Sequence, residues 1–347
     1  MKAFVAIFAI AFSLIGVSLA HGTSRVDACA GLIGSNGAVN LGRTTTLAAY
    51  HDGIEHYVTS FEFQGGGGEF GSLIPLPGIP TNVERGGAWT LQRLQIETAP
   101  VVLAAAESGG EDSTEERAEE LLTVRIDALD LTVLRGGGAD IAVWADEHGF
   151  RLSPDAPEVL DFYSQRSPIF LAAVFDGDAA AERGQAIGDG TPIHLTIPLD
   201  NPWVPLRILT LGKQADDFVE ADVYLLTDER PTVLPGEREG FNLTHSDPAS
   251  EQLLDDLRSD EGMEWVPASA WLTKYVISTE AGGLDYDLAV DTSGESPSPV
   301  AAGFALAASG RDNGDDESRL WIILPALAVV ALLVAGGLLW QQRRDPR

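Results

Sequence analysis

Cysteine is almost absent from this 347-residue chain: Cys29 is the single one. An internal disulfide is therefore excluded, and so is a Cys-rich zinc module. Three readings of the thiol stay open, namely a small buried residue, a lipid-modified residue and an intermolecular partner. Basic residues are also scarce. Leaving out Lys2, Arg319, Arg343, Arg344 and Arg347 at the ends, together with Asp345, residues 21–318 hold 17 basic side chains against 51 acidic ones, a net charge of −34. A body so acidic repels phosphate backbones, which excludes a nucleic-acid partner. No lysine stands between Lys2 and Lys213, so no Gly-Lys-Ser/Thr phosphate loop can exist there. Serine nucleophile elbows, H-E-x-x-H and Cys–His pairs near a helix start are missing as well.

Long apolar runs occur only at the two ends. Residues 1–20 carry Lys2, an uncharged stretch from Ala3 to Leu19, and the small residues Ser18 and Ala20, the pattern of a secretory signal peptide. Leu320 to Trp340 holds no charge and is long enough to span a bilayer as a helix. Trp321 and Trp340 stand at its edges, and Arg343, Arg344 and Arg347 follow. The basic flank places the tail 341–347 in the cytoplasm and the body outside. The expected location is the cell membrane, with a single pass and the bilayer as a partner through the C-terminal helix. Residues 291–318, rich in Ser, Gly, Ala and acid, read as a flexible stalk.

Between these ends, 29–290 reads as an extracytoplasmic α+β domain that is largely antiparallel β, either one unit or two subdomains meeting near 106–120. TTTLAAYH and IEHYVTSFEF flank Asp52-Gly53, which suits a type I′ hairpin. That turn pairs Leu47 with Val58, Ala49 with His56 and His51 with Ile54. It puts His51 and His56 on one face as a diagonal pair, the best candidate metal ligands in the chain, while Glu55 faces the other side. The run Gly65–Gly68 contains a literal G-x-G-x-x-G at Gly66, Gly68 and Gly71. Pro75, Pro77 and Pro80 prevent the helix that a dinucleotide loop must open, so the run reads as a connector into a strand at Ser72–Leu76. Ala88–Thr98 reads as a short helix and Glu107–Glu120 as a solvated insertion.

Asp130–Gly136, Ala139–Gly149, APEVLDFYSQRS and Pro168–Asp176 read as strand, helix, helix, strand. PIHLTIPLD, PLRILTLG, FVEADVYLLTD and AWLTKYVIST read as strands. Asp285 and Asp287 start like a calcium loop, but Ala289 and Val290 replace its next ligand and glycine. Trp89, Trp144, Trp203, Trp265 and Trp271 read as core.

TTTLAAYHDGIEHYVTSFEF with FGSLIPLPGIP, the strand-helix-helix-strand unit, and IPLDNPWVPLRILTLG with DVYLLTD together resemble the bacterial family catalogued as domain of unknown function 2330. The resemblance covers most of 29–280. It implies a membrane-anchored extracytoplasmic protein and brings no activity, cofactor or catalytic residue. The expectation is a binding or interaction module with a possible protein partner at the cell surface and no cofactor. The alternatives are a membrane-tethered hydrolase and a structural subunit of a membrane complex.

Overall fold

Asp52 and Gly53 take positive φ values of 50° and 77°, as a type I′ turn demands, and the hairpin they close sits at the centre of the molecule. A computed structural model describes residues 31–34, 37–38, 43–62, 69–99, 119–184 and 190–304. In chain order these form β1 (Gly31–Gly34), β2 (Gly37–Ala38), β3 (Arg43–His51), β4 (Ile54–Glu62), β5 (Glu69–Leu76), β6 (Asn82–Arg85) and α1 (Thr90–Thr98). There follow β7 (Glu119–Ile126), β8 (Leu129–Arg135), α2 (Gly138–Glu147), α3 (Ala156–Ser164), β9 (Ile169–Asp176), α4 (Gly177–Glu182) and β10 (Gly190–Pro198). The last group is β11 (Trp203–Val204), β12 (Phe218–Thr227), β13 (Thr232–Leu234), β14 (Phe241–Pro248), α5 (Glu251–Arg258), β15 (Trp271–Glu280) and β16 (Leu288–Asp291). The body is β-rich, with antiparallel sheets and few helices.

A seven-stranded sheet has the order β14-β15-β12-β3-β4-β10-β6, and a six-stranded sheet the order β2-β1-β5-β9-β8-β7. A small third sheet has the order β11-β16-β13. Pairing is antiparallel throughout except between β12 and β3, which run parallel. The hairpin register is the one its turn dictates: Leu47 opposes Val58, Ala49 opposes His56 and His51 opposes Ile54. β8-α2-α3-β9 forms the expected strand-helix-helix-strand unit, its two strands paired antiparallel.

Side-chain alternation splits the core in two. Ala48, Tyr57, Leu195 and Val223 of the seven-stranded sheet join the six-stranded sheet, α2 and α3 in one large cluster. Leu47, Ala49, Val58 and Tyr224, from the opposite face, pack with α1 and α5 in a second. The amphipathic α5 sends Leu253, Leu254 and Leu257 inward, and the Ser250 hydroxyl caps it by accepting from the Leu253 N–H (3.1 Å).

Several segments depart from their expected form. PLRILTLG is not a strand: Arg207–Thr210 is a turn of 3-10 helix. Its opening N–H groups, those of Leu206 and Arg207, both donate to the Asp287 carboxylate (2.7 and 3.0 Å), a distant cap that local propensity cannot show. Glu119 and Glu120, placed in the insertion, begin β7, and Asp176, at the end of the expected strand, caps α4 by accepting from Asp178 N and Ala179 N. Trp144 and Trp203 are buried as expected, whereas Trp89, Trp265 and Trp271 are half-buried. The chain from 291 to 304, expected as the start of a stalk, packs on the body. Ala301 and Ala302 are buried, and the Asp287 N–H donates to the Ala302 carbonyl (3.1 Å). Among the described residues no helix is long and apolar enough to cross a membrane. Residues 1–20, Cys29, the run Gly65–Gly68 and 320–340 lie outside the described residues.

Candidate functional site

The two histidines singled out by the hairpin do lie on one face, but each finds a different partner. His51 Nδ1 lies 2.5 Å from Asp228 Oδ1 at the end of β12, and its Nε2 is 3.4 Å from Asp52. His56, two rungs further from the turn, is nearly buried, and its Nδ1 lies 2.8 Å from Nε2 of His194 in β10. Among the described residues no group of three or more His, Cys, Asp or Glu could hold a metal ion.

Instead, β4, β10 and β6 line up three groups across adjacent strands. The register sets Thr196 opposite His56 and Glu84 opposite His194, so the two rings meet along a diagonal. Their centroids are 5.0 Å apart at 22°, which with nitrogens 2.8 Å apart means an edge-to-edge, nearly coplanar hydrogen bond. His194 Nδ1 lies 3.2 Å from Glu84 Oε1. A carboxylate only accepts, so His194 Nδ1 carries the proton toward Glu84. His194 Nε2 is then the acceptor for His56 Nδ1–H, and the lone pair of the neutral chain resides on His56 Nε2. Trp265, from the loop after α5, stacks flat on the His56 ring at 3.8 Å and 3°.

Burial dominates the electrostatics. It lowers His56 from its ordinary value of 6.5 to about 3, with the neighbouring His194 and His51 adding in the same direction. His194 is also lowered, first by burial, while Glu84 and Glu264 oppose the shift. In the Glu84–His194–His56 relay both imidazoles are thus neutral at physiological pH, and the end open to solvent is Glu84, while His194 and His56 are buried. Neither ring is hydrogen-bonded to a serine or cysteine among the described residues. It has an imidazole and its orienting carboxylate, without a protein nucleophile attached.

Glu55, on the opposite face of β4, has the second unusual environment. It is 0 % exposed, and neither carboxyl oxygen has a hydrogen-bond partner. Burial raises it well above the usual carboxylate value. It borders a small cavity, with room for about one water, lined also by Tyr50, Pro202, Thr227 and Val290. Glu84, His194 and Trp265 were missed from the sequence because they come from three distant segments. The only local hint was His194 in an alternating strand pattern.

Asp287, the calcium-like aspartate, is a structural hub. Its carboxylate accepts from Arg166, the Tyr163 hydroxyl (2.9 Å) and the N–H groups of Leu206 and Arg207. Arg166 also donates to the Ala301 carbonyl and lies over the rings of Phe162 and Trp203.

No protein-family model matches the chain, and no curated protein matches it. Among solved structures it is similar to baculovirus P35, at 9% identity and a TM-score of 0.38, over 72% of this chain and 96% of that one. It is also similar to the caspase-8/P35 complex (9%, TM-score 0.36, 72% and 95%) and to a mutated baculovirus P35 after caspase cleavage (7%, TM-score 0.37, 72% and 99%). At TM-scores this low, the likeness carries no argument about function.

Proposed function

We propose that this protein is an extracytoplasmic binding or interaction module, held to the membrane by a single helix at 320–340 and related to the family of domain of unknown function 2330. The observation that carries the reading is the clamp on segment 298–304. Arg166 and Asp287 clamp the segment around Ala301 and Ala302 against α3. Gly303, at φ 84°, is pressed against Phe162 where a Cβ would lie only 2.3 Å from the ring. The clamped segment lies sixteen residues before Leu320, where the apolar run begins. A body held firm on that side suits a module displayed on a membrane for a partner.

A reporter fused after Arg347 should be active only in the cytoplasm, and protease added outside should remove the body. Protection of residues 43–290 in intact, wall-stripped cells would refute the reading. Cross-linking of the native protein in membranes, followed by capture, identifies the partner. The second reading, a tethered hydrolase, is favoured by the Glu84–His194–His56 relay. It requires that purified protein turn over an ester, phosphoester or peptide and that His194→Gln abolish the turnover with the fold intact.

A further inference from the structure

Glu55 stands where two sheets meet. Ala48, Ala49, Tyr50, Leu225 and Thr227 belong to the central strands β3 and β12 of the seven-stranded sheet, whereas Pro202 and Val290 come from the segment before β11 and from β16. The inner wall is fixed by full ladders, since β3 is paired on both sides. The outer wall is part of the three-stranded sheet, two of whose strands are only two and three residues long. An ionised carboxylate needs several hydrogen-bond donors, and the cavity admits about one water. The least costly route to solvent is to part the small sheet from the large one.

We propose that Glu55 is a proton-binding site that latches the small sheet to the body: protonated, it lets β11, β13 and β16 dock, and ionised, it releases them. Burial is the cause of the Glu55 shift, and its charged and titratable neighbours are these. Tyr50, directly opposite Glu55 on β3, donates its hydroxyl to the Leu199 carbonyl (3.0 Å), so it holds the outer loop and is not spent on Glu55. Asp200 of that loop, Asp291 of β16 and Glu55 itself act on Tyr50 as negative charges. Tyr57 follows Glu55 on the same face of β4, while His56 points to the other side. No cation faces the carboxyl from β10, which contributes Ile197 opposite Glu55. Because Asp287, next to β16, donates its N–H to the Ala302 carbonyl, the latch sets whether segment 298–304 is held to the large sheet.

Hydrogen exchange on the purified full-length chain in detergent tests this, with amide protection corrected for intrinsic rates between pH 5 and pH 8. The latch requires that protection at 203–204, 232–234 and 288–291 fall at least about tenfold as pH rises while β3 and β12 hold theirs. Glu55→Gln, which cannot ionise, must flatten that dependence to within about twofold. PH-independent protection in the wild type, an unchanged slope in Glu55→Gln, or a loss shared equally by β3 and β12 would each overturn the proposal. Should Glu55→Gln not fold, infrared spectroscopy of the wild type decides the matter. A buried carboxylic-acid carbonyl band must be present at pH 5 and must vanish in step with the loss of protection; a band that is missing, or whose loss does not track it, refutes the latch.

Discussion

Glu55 and His56 are neighbours in β4 that face opposite sides of the sheet, and burial gives them opposite effects on stability. His56 falls from 6.5 to about 3 on folding. Between those values the unfolded chain binds a proton that the folded chain refuses, so stability is lost as pH drops below 6.5, by up to ~1.4 kcal/mol per unit. Glu55 is raised well above 4.5. Its contribution is full below 4.5 and is lost as pH rises, because the unfolded chain releases a proton that the folded chain retains. The limiting slope is again ~1.4 kcal/mol per unit, until the carboxyl ionises in the folded protein. Above pH 4.5 the two contributions oppose each other. Each single variant should unmask the other: His56→Gln should lose stability as pH rises through 4.5–6.5, and Glu55→Gln should gain up to ~2.7 kcal/mol over those two units from His56. That gain alone is a sizeable part of a typical 5–15 kcal/mol stability. Urea unfolding of residues 29–304 at several pH values between 4.5 and 6.5 measures it. Parallel stability curves for the two variants would refute the reasoning, since both groups would then share one environment.

Arg166→Met should cost about 3–5 kcal/mol, because it leaves the Asp287 carboxylate buried without its cation; thermal melting checks this, and adding Asp287→Asn should recover part of the loss. Gly53→Ala should cost roughly 1 kcal/mol in a denaturant melt. A Cβ there meets nothing within 4 Å, so the penalty comes from its φ of 77° alone. His51→Ala, at a partly exposed site beside Asp228, should change stability by about 0.5 kcal/mol or less. A chelator should leave the melting curve of the wild type unchanged, and a drop in melting temperature reversed by zinc would restore a metal reading for His51 and His56.

The hairpin was legible because its determinants are local: Asp52-Gly53 selects the turn, the turn selects the register, and the register assigns every residue of β3 and β4 to a face. The strand-helix-helix-strand unit was legible for the same reason, since the periodicity of Ile141, Trp144 and Ala145 and of Val159, Leu160 and Tyr163 is contained in short windows. Segment 206–210 failed because its conformation is imposed from outside. Without Asp287, some eighty residues away, nothing satisfies the N–H groups of Leu206 and Arg207 in a 3-10 turn, and the apolar run reads as a strand. The helix α5 was missed although Ser250, Leu253, Leu254 and Leu257 carried its cap and its face, because its weakly apolar composition did not stand out between turn residues.

The site was half legible for a deeper reason. Sequence reading identified His56 and the side it faces, and it sent Glu55 to the other. What each group does depends on what covers that side. His56 becomes the end of a relay only because β10 is the next strand and brings His194 within 2.8 Å, and because a loop after α5 lays Trp265 across its ring. Glu55 becomes an unpartnered acid only because Pro202 and Val290 close over it without offering a donor. Both facts belong to strand order and sheet stacking, which no local pattern near residue 55 encodes. The same hairpin in a one-sided sheet would expose one of the pair to water and leave that group unperturbed. The chemistry of these two neighbours is therefore a property of the two-sided burial of β4, and a substitution that opened either cover would abolish one pKa shift and spare the other.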